Sequence, residues 1–245
     1  MSHLALRRVM VRLLHDPSLV ARLYRNPDAA LAGVDLRGEE RRWLLDTPRE
    51  AWGSDAERPQ RVLAALLDEF PAAAHLVPRR MRTFFASEPF HRAVQERGSL
   101  AAAFGQHLAG EPGARDVARV EEAIARVRRA PRGERASGAG RLRLGAHAAV
   151  LEVATGTADS LPALRAGRVP PRAGSGREHL LVLRTPGADD VALEALPDGL
   201  AAVLAAAAAG PTAVAALAAV AREHGAEPGE DVAVLETLVV DGLLL

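Results

Sequence analysis

The chain has 245 residues, 49% of them hydrophobic, with 31 basic side chains balanced by 31 acidic ones and no cysteine. That length suits one large domain or two of ordinary size, each able to bury an apolar core. Disulfides, thiolate nucleophiles, iron–sulfur ligation and cysteine zinc sites are excluded; every basic residue is Arg, so a Schiff-base lysine and a Walker lysine are excluded as well.

The N-terminal stretch MSHLALRRVMVRLLHDP is apolar only at helical spacing, through Leu6, Val9, Met10, Leu13 and Leu14. Arg7, Arg8 and Arg12 interrupt it, so it reads neither as a signal peptide nor as a membrane span, and the expected location is the cytoplasm. Asp16-Pro17 and Asn26-Pro27 then punctuate short helices, and GEERRWLLDTP begins another that stops at Pro48. Further helices are predicted around Pro59 to Glu69, Pro78 to Ala86, Pro89 to Arg97, Leu100 to Leu108 and Ala114 to Arg129. Residues 1–130 therefore predict a multi-helix bundle with short connections.

The segment APRGERASGAG has almost nothing to bury, so residues 131–140 read as a linker to a second domain at 141–245. The zero net charge hides an asymmetry. Residues 1–135 hold 23 Arg and 18 acids, net +5, and residues 136–245 hold 8 Arg and 13 acids, net −5. All eight aromatics, two Trp, one Tyr and five Phe, lie at or before Phe104. The rest of the chain must build its core from small aliphatic residues and has no aromatic platform for stacking bases.

In the second half the period changes. HAAVLEV (His147 to Val153), EHLLVLR (Glu178 to Arg184) and DVALEAL (Asp190 to Leu196) read as strands, with RLRL (Arg141 to Leu144) a candidate fourth and TADSLPALRAG a short helix. Helices are predicted at Asp198 to Ala209, Thr212 to His224 and Glu230 to Val240, with Thr212 as an N-cap and Gly225 and Gly242 as stops. The alanine-rich stretch from Leu200 to Ala221 is broken by Gly210 and Pro211, so it predicts two packed helices rather than a membrane span. The expected fold class is α+β: an N-terminal multi-helix bundle, then a small β-sheet plus a three-helix winged-helix-like domain.

Catalytic motifs do not emerge. No GxGxxG opens a helix after a strand, no GxxxxGK[ST] occurs, and the GSG at Gly174 to Gly176 lacks the spacing of a nucleophile elbow. The histidines at 3, 15, 75, 91, 107, 147, 179 and 224 form no HExxH, HxH or HxxxH pair, which leaves open only a His/carboxylate metal site assembled in space. Glu121-Glu122, on an arginine-laced helix, reads as a solvated salt-bridge face. A non-catalytic protein with no cofactor is the expectation.

The closing phrase LETLVVDGLLL resembles the LxxLVxxGLL end of many winged-helix domains. Such domains first suggest DNA. Residues 226–245, however, carry Glu227, Glu230, Asp231, Glu236 and Asp241 with no basic side chain, so phosphates would be repelled and no nucleic-acid partner is expected.

Three strands feeding three such helices resemble the leader-peptide recognition domain of ribosomally made, post-translationally modified peptide pathways, similar to the peptide chaperone of pyrroloquinoline quinone biosynthesis. The resemblance implies that a leader adds as a strand to the sheet edge. The edge would be Val191, Ala192, Leu193, Glu194 and Ala195, and the groove wall Val232, Leu235, Glu236 and Val239. In the first half, MRTFFASEPFHRAVQERGSLAAAFGQHLAGEPGARDVARVEEAIARVRR resembles the helical domain of partner subunits of multinuclear non-heme iron oxidative enzymes that act on precursor peptides. The matching positions are Phe84, Phe85, Phe90, His91, Leu100, Phe104, Leu108, Val117, Val120 and Glu121. Of these, Phe84, Phe85, Phe90, His91 and Phe104 are the implied enzyme-docking residues.

The combined resemblance implies an accessory subunit that binds a precursor peptide and presents it to an iron-dependent oxidative enzyme, with basic leader residues favoured near Glu194 and Glu236. Two alternatives compete. One is a winged-helix transcriptional regulator. The other follows from LLHDPSLVARLYRNPDAALAGVDLRGEERRWLL, which looks like the small helical subunit of extradiol ring-cleaving dioxygenases.

Overall fold

The computed structural model describes residues 3–55, 57–131, 140–171, 174–184 and 190–245. The fold is α+β, 63% helix and 12% strand. The chain divides into two compact units, Met1–Ala118 and Arg119–Leu245. That division falls inside a helix, whereas most of the predicted linker, residues 132–139, lies outside the described residues.

The first unit is helical: α1 (His3–His15), α2 (Pro17–Arg25), α3 (Pro27–Ala30), α4 (Gly38–Asp46), α5 (Arg58–Glu69), α6 (Pro71–Leu76), α7 (Pro78–Met81), α8 (Glu88–Glu96), α9 (Leu100–Ala109) and the start of α10 (Arg115–Arg129). Proline stands in the first turn of α2, α3, α5, α6, α7 and α8, where its missing N–H has no helical acceptor to lose. Side-chain caps complete several starts. Asp16 accepts from the N–H groups of Ser18 and Leu19, Asn26 from Ala29, Ser87 from Phe90 and Ser99 from Ala102. The helix predicted over Pro78 to Ala86 breaks at Arg82-Thr83 into α7 and a 3₁₀ turn, Phe84–Ala86, and α6 was not predicted.

The second unit is built on a three-stranded antiparallel sheet in the order β2–β3–β4. These strands are Ala148–Ala154, Arg177–Arg184 and Val191–Leu196; β1 (Arg141–Leu142) pairs elsewhere. Between β2 and β3 lies α11 (Thr157–Arg165), and after β4 come α12 (Asp198–Ala208), β5 (Thr212–Ala213), α13 (Val214–Glu223) and α14 (Glu230–Val240). In the register, Leu181 stands opposite both Val150 and Glu194. Ala148, Leu181, Val203, Leu204, Ala207, Leu217, Leu235, Leu238 and Leu244 are buried together, so one sheet face packs on α12, with α13 and α14 completing the same core. The alternate residues Ala149, Val153, Leu180 and Val182 are also buried. The sheet is therefore covered on both sides, as its runs of consecutive apolar residues require.

The candidate fourth strand does not join this sheet. Instead β1 pairs antiparallel with β5, while Leu144 bridges to Leu244 and Arg143 exchanges both backbone hydrogen bonds with Leu245, at 3.0 and 2.9 Å. Thr212, predicted as an N-cap, lies in β5; its hydroxyl donates to the carbonyls of Gly210 (2.9 Å) and Ala206 (3.3 Å), and Ala213 holds the cap position without a side-chain bond. The predicted stops hold, with Gly225 and Gly242 at φ +96° and +74°, where a Cβ would be strained.

Helix α10 is tied to the sheet at both ends. Near its start Arg119 Nη1 donates to the Glu152 carbonyl on β2 at 2.9 Å. Beyond its end Arg184 Nη1, from the last residue of β3, donates to the carbonyls of Arg128 (3.1 Å) and Ala130 (2.8 Å). These carbonyls are terminal ones without an intrahelical partner, and a charged donor satisfies them well. Arg184→Ala should lower stability by about 1–2 kcal/mol, measured as a shift of the urea midpoint without a change in m-value; an unchanged midpoint would remove this tie from the account.

Candidate functional site

On the helix-facing side of the sheet, β4, α12, α13 and α14 enclose a cavity of about 760 Å³. Its floor is apolar and buried: Leu181, Val203, Leu204, Ala221, Leu238 and Leu243. The rim carries Glu194, Glu230 and Asp241 with His224, and no arginine among the described residues lines it. Gly199, near the start of α12, also lines it. A Cβ added there would come within 3.2 Å of His224 Cβ, so glycine permits the close approach of α12 to the end of α13.

Beside the cavity runs an open edge. β4 pairs with β3 on one side, and among the described residues no strand pairs with its other side. The predicted edge residues Val191, Ala192, Leu193, Glu194 and Ala195 make up this strand together with Leu196. Only Glu194 among them, joined by Leu196, also reaches the cavity lining.

On α14 the predicted groove wall is misplaced. Val232, Leu235, Glu236 and Val239 do not line the cavity; Glu230, Ala233, Val234, Thr237, Leu238 and Asp241 do. With 3.6 residues per turn the two sets occupy opposite sides of the helix. Leu235 is in the core, while Val232, Glu236 and Val239 are exposed. The start of α14 is held by Asp231, whose Oδ1 accepts from Gly229 (2.9 Å) and Val232 (2.8 Å) and whose Oδ2 meets Arg222 Nη1 at 2.9 Å. The Gly229 N–H is the largest influence holding this carboxyl below its ordinary value, with Val232 and Arg222 adding to it against desolvation.

The implied docking residues need correction. Phe84, Phe90 and Phe104 are at most 1% exposed and Phe85 9%, and their rings pack with Phe70 in a cluster of edge-on and tilted pairs with centroids 5.0–5.5 Å apart. Side chains so enclosed cannot meet a partner; helical spacing of aromatics marked a core. His91 is mostly enclosed as well, with Arg12 Nη2 3.3 Å from its Nδ1 and its Nε2 3.6 Å from Asp16 Oδ2. Asp16 itself is buried. Burial acts to raise its pKa, but the His91 ring, the Ser18 hydroxyl and the N–H groups of Leu19 and Ser18 outweigh that and hold it below the ordinary carboxylate value.

Two other buried polar groups escaped the sequence reading. Glu121 is fully buried with Arg165 Nε 3.6 Å away, so it does not belong to a solvated face. His107 is buried beneath Phe84, and its Nε2 lies 2.8 Å from the Arg80 carbonyl, which fixes that nitrogen as the protonated one. Burial lowers the His107 pKa, opposed by the Arg80 carbonyl, so the ring takes up a proton less readily than an exposed histidine. Among the described residues no three His, Asp or Glu side chains gather as metal ligands, and no helix is long and apolar enough to cross a membrane.

No protein-family model matches this sequence, and no curated protein matches it.

The shifted groups set the pH response. His107 protonates less readily when folded than when unfolded, so its contribution is present above its ordinary pKa of 6.5 and is lost as pH falls below that value. Asp16 and Asp231 have depressed folded pKa values, so their contributions persist to lower pH and are lost below the ordinary 3.8. Thermal midpoints should therefore decline in two steps on acidification. His107→Gln should flatten the step near neutrality and leave the lower one, and an unchanged profile in that variant would refute the assignment.

Proposed function

We propose that this chain is a non-catalytic partner subunit that binds the leader of a ribosomally made precursor peptide and presents it to an iron-dependent oxidative enzyme. The observation that carries the peptide part is the juxtaposition of the open β4 edge with the apolar, acid-rimmed cavity. An extended peptide added along β4 would gain backbone hydrogen bonds whatever its sequence. One apolar side chain would enter the cavity over Leu204 and Leu238, where its burial contributes affinity. Glu194, Glu230 and Asp241 would favour basic neighbours of that anchor, and with Glu236 on the other side of α14, the selectivity predicted for Glu194 and Glu236 passes to these three. The enzyme half of the proposal rests on the resemblance of the helical region. With the phenylalanines buried, docking would use other surfaces of that unit. Catalysis would belong to the enzyme, this subunit acting by raising the substrate's local concentration.

Calorimetry of the full chain with the leader peptide encoded beside its gene tests the binding arm. Ala233→Trp, which fills the cavity mouth, and Glu194→Arg, which reverses the rim charge, should each weaken binding about tenfold or more, while Glu236→Arg on the outer face should leave it unchanged. N-methylation of alternate peptide amides should abolish binding in one register only. Equal loss from Glu236→Arg, or indifference to Ala233→Trp, would overturn the site. Failure to co-purify with an iron enzyme encoded alongside would overturn the partner assignment.

A further inference from the structure

A smaller cavity, about 280 Å³, opens in the first unit between α1, the loop at residues 33–35 and α8. Its polar lining is Arg8, Arg12, Asp35 and Gln95, and Val9 and Val34 supply apolar wall. Arg8 and Arg12 stand one turn apart on α1 and so present their guanidinium groups to the same space. In both, Nε is buried with no hydrogen-bond partner among the described residues. Arg12 has His91 beside it, but Arg8 makes no hydrogen bond or ion pair among the described residues.

A half-buried guanidinium with unmet donors is unfavourable unless something satisfies it, because its lost hydration is not replaced. The nearby acids do not supply that. Asp35 is exposed at the rim and forms no ion pair with either arginine. Asp16 is engaged by its own helix cap, by His91 and by Arg22 at 4.0 Å. The deficit is visible at Arg12, whose pKa is lowered first by burial, with Asp16 pulling the other way and Arg22 adding to the lowering.

We infer that this cavity binds a small oxyanion, the phosphate or carboxylate group of a small molecule, held by the guanidinium groups of Arg8 and Arg12 and by the Gln95 amide. Guanidinium groups present paired donors that match both oxyanions, and such charge-assisted bonds are the stronger kind. The inference is independent of peptide binding, which concerns the other unit.

Calorimetry and thermal melts of the full chain with inorganic phosphate and, separately, acetate test it. Saturable binding of one or both is expected, with a melting temperature that rises with ligand concentration. Arg8→Gln should weaken binding about tenfold or more and cancel the ligand-dependent rise while melting no lower than the native chain without ligand. Arg7→Gln, whose side chain is exposed outside the cavity, should behave as the native chain. Phosphate alone or acetate alone would identify the preferred group. No saturable binding by either anion, equal binding in Arg8→Gln, or an Arg8→Gln chain that melts lower in the absence of ligand would overturn the site.

Discussion

The second unit must close its core around a three-stranded sheet without any aromatic or methionine side chain, and its layout follows from that shortage. Ala, Val and Leu can fill space between a sheet and helices only if the backbones approach closely, and protein interiors tolerate few voids. Along α12 and α13 the approach succeeds: Ala201, Ala207, Ala218 and Ala221 are nearly inaccessible, and Gly199 lets the end of α13 come against α12. Towards β4 the filling runs out. Leu181, Val203, Leu204 and Leu238 line the space that is left, and a cavity of about 760 Å³ remains open beside the strand. The same poverty of large side chains that forces alanine packing thus leaves an apolar hollow next to an edge that no strand among the described residues pairs.

An edge strand in that situation invites association, and proteins commonly blunt such edges with charge. Here Glu194 and Ala195 are exposed on β4, and the rim acids Glu230 and Asp241 face the hollow from α14. Like charges gathered at an apolar mouth discourage pairing with a second copy of the same edge, which carries the same acids, while leaving it open to a strand of opposite charge. Three of the thirteen acids in residues 136–245, Glu194, Glu230 and Asp241, thus stand at this edge and mouth.

Much of the architecture was legible in the sequence because it rests on local rules. Proline at helix starts, Asp and Asn before them, and glycine at φ > 0 marked many boundaries, and short apolar runs between Gly, Pro and Asp clusters marked β2, β3 and β4 within a residue or two of their ends. What failed needed tertiary information. The α14 pattern is apolar nearly all round, with Val232, Val234, Leu235, Leu238, Val239 and Val240, so periodicity could not say which side faces the cavity; the neighbours decide it, with Leu204 and Leu243 lining the same space as Leu238 while Val232 and Val239 are exposed. The phenylalanines carried no surface signal at all, since a core and a docking face share helical spacing. Glu121 reads as surface from its arginine neighbours but is buried, and the arginine that approaches it, Arg165, is distant in sequence. Arg141 to Leu144 were recognisable as extended, yet their partners, β5 and the C-terminal residues, could not be read from spacing.

Arginine carries every positive charge in this chain, so composition alone could not separate structural from functional cations. Their partners do. Arg119 and Arg184 end on backbone carbonyls, Arg222 on Asp231 and Arg177 on Glu152. In each case a charged donor meets an acceptor and the group is accounted for by the fold. The exposed arginines need no partner beyond water. Arg8 fits neither class: its Nε is cut off from solvent, and no acceptor among the described residues serves it. Since an uncompensated cation opposes folding, a half-buried one beside a second underserved guanidinium and an open cavity is explained most economically by a ligand that brings the missing negative charge.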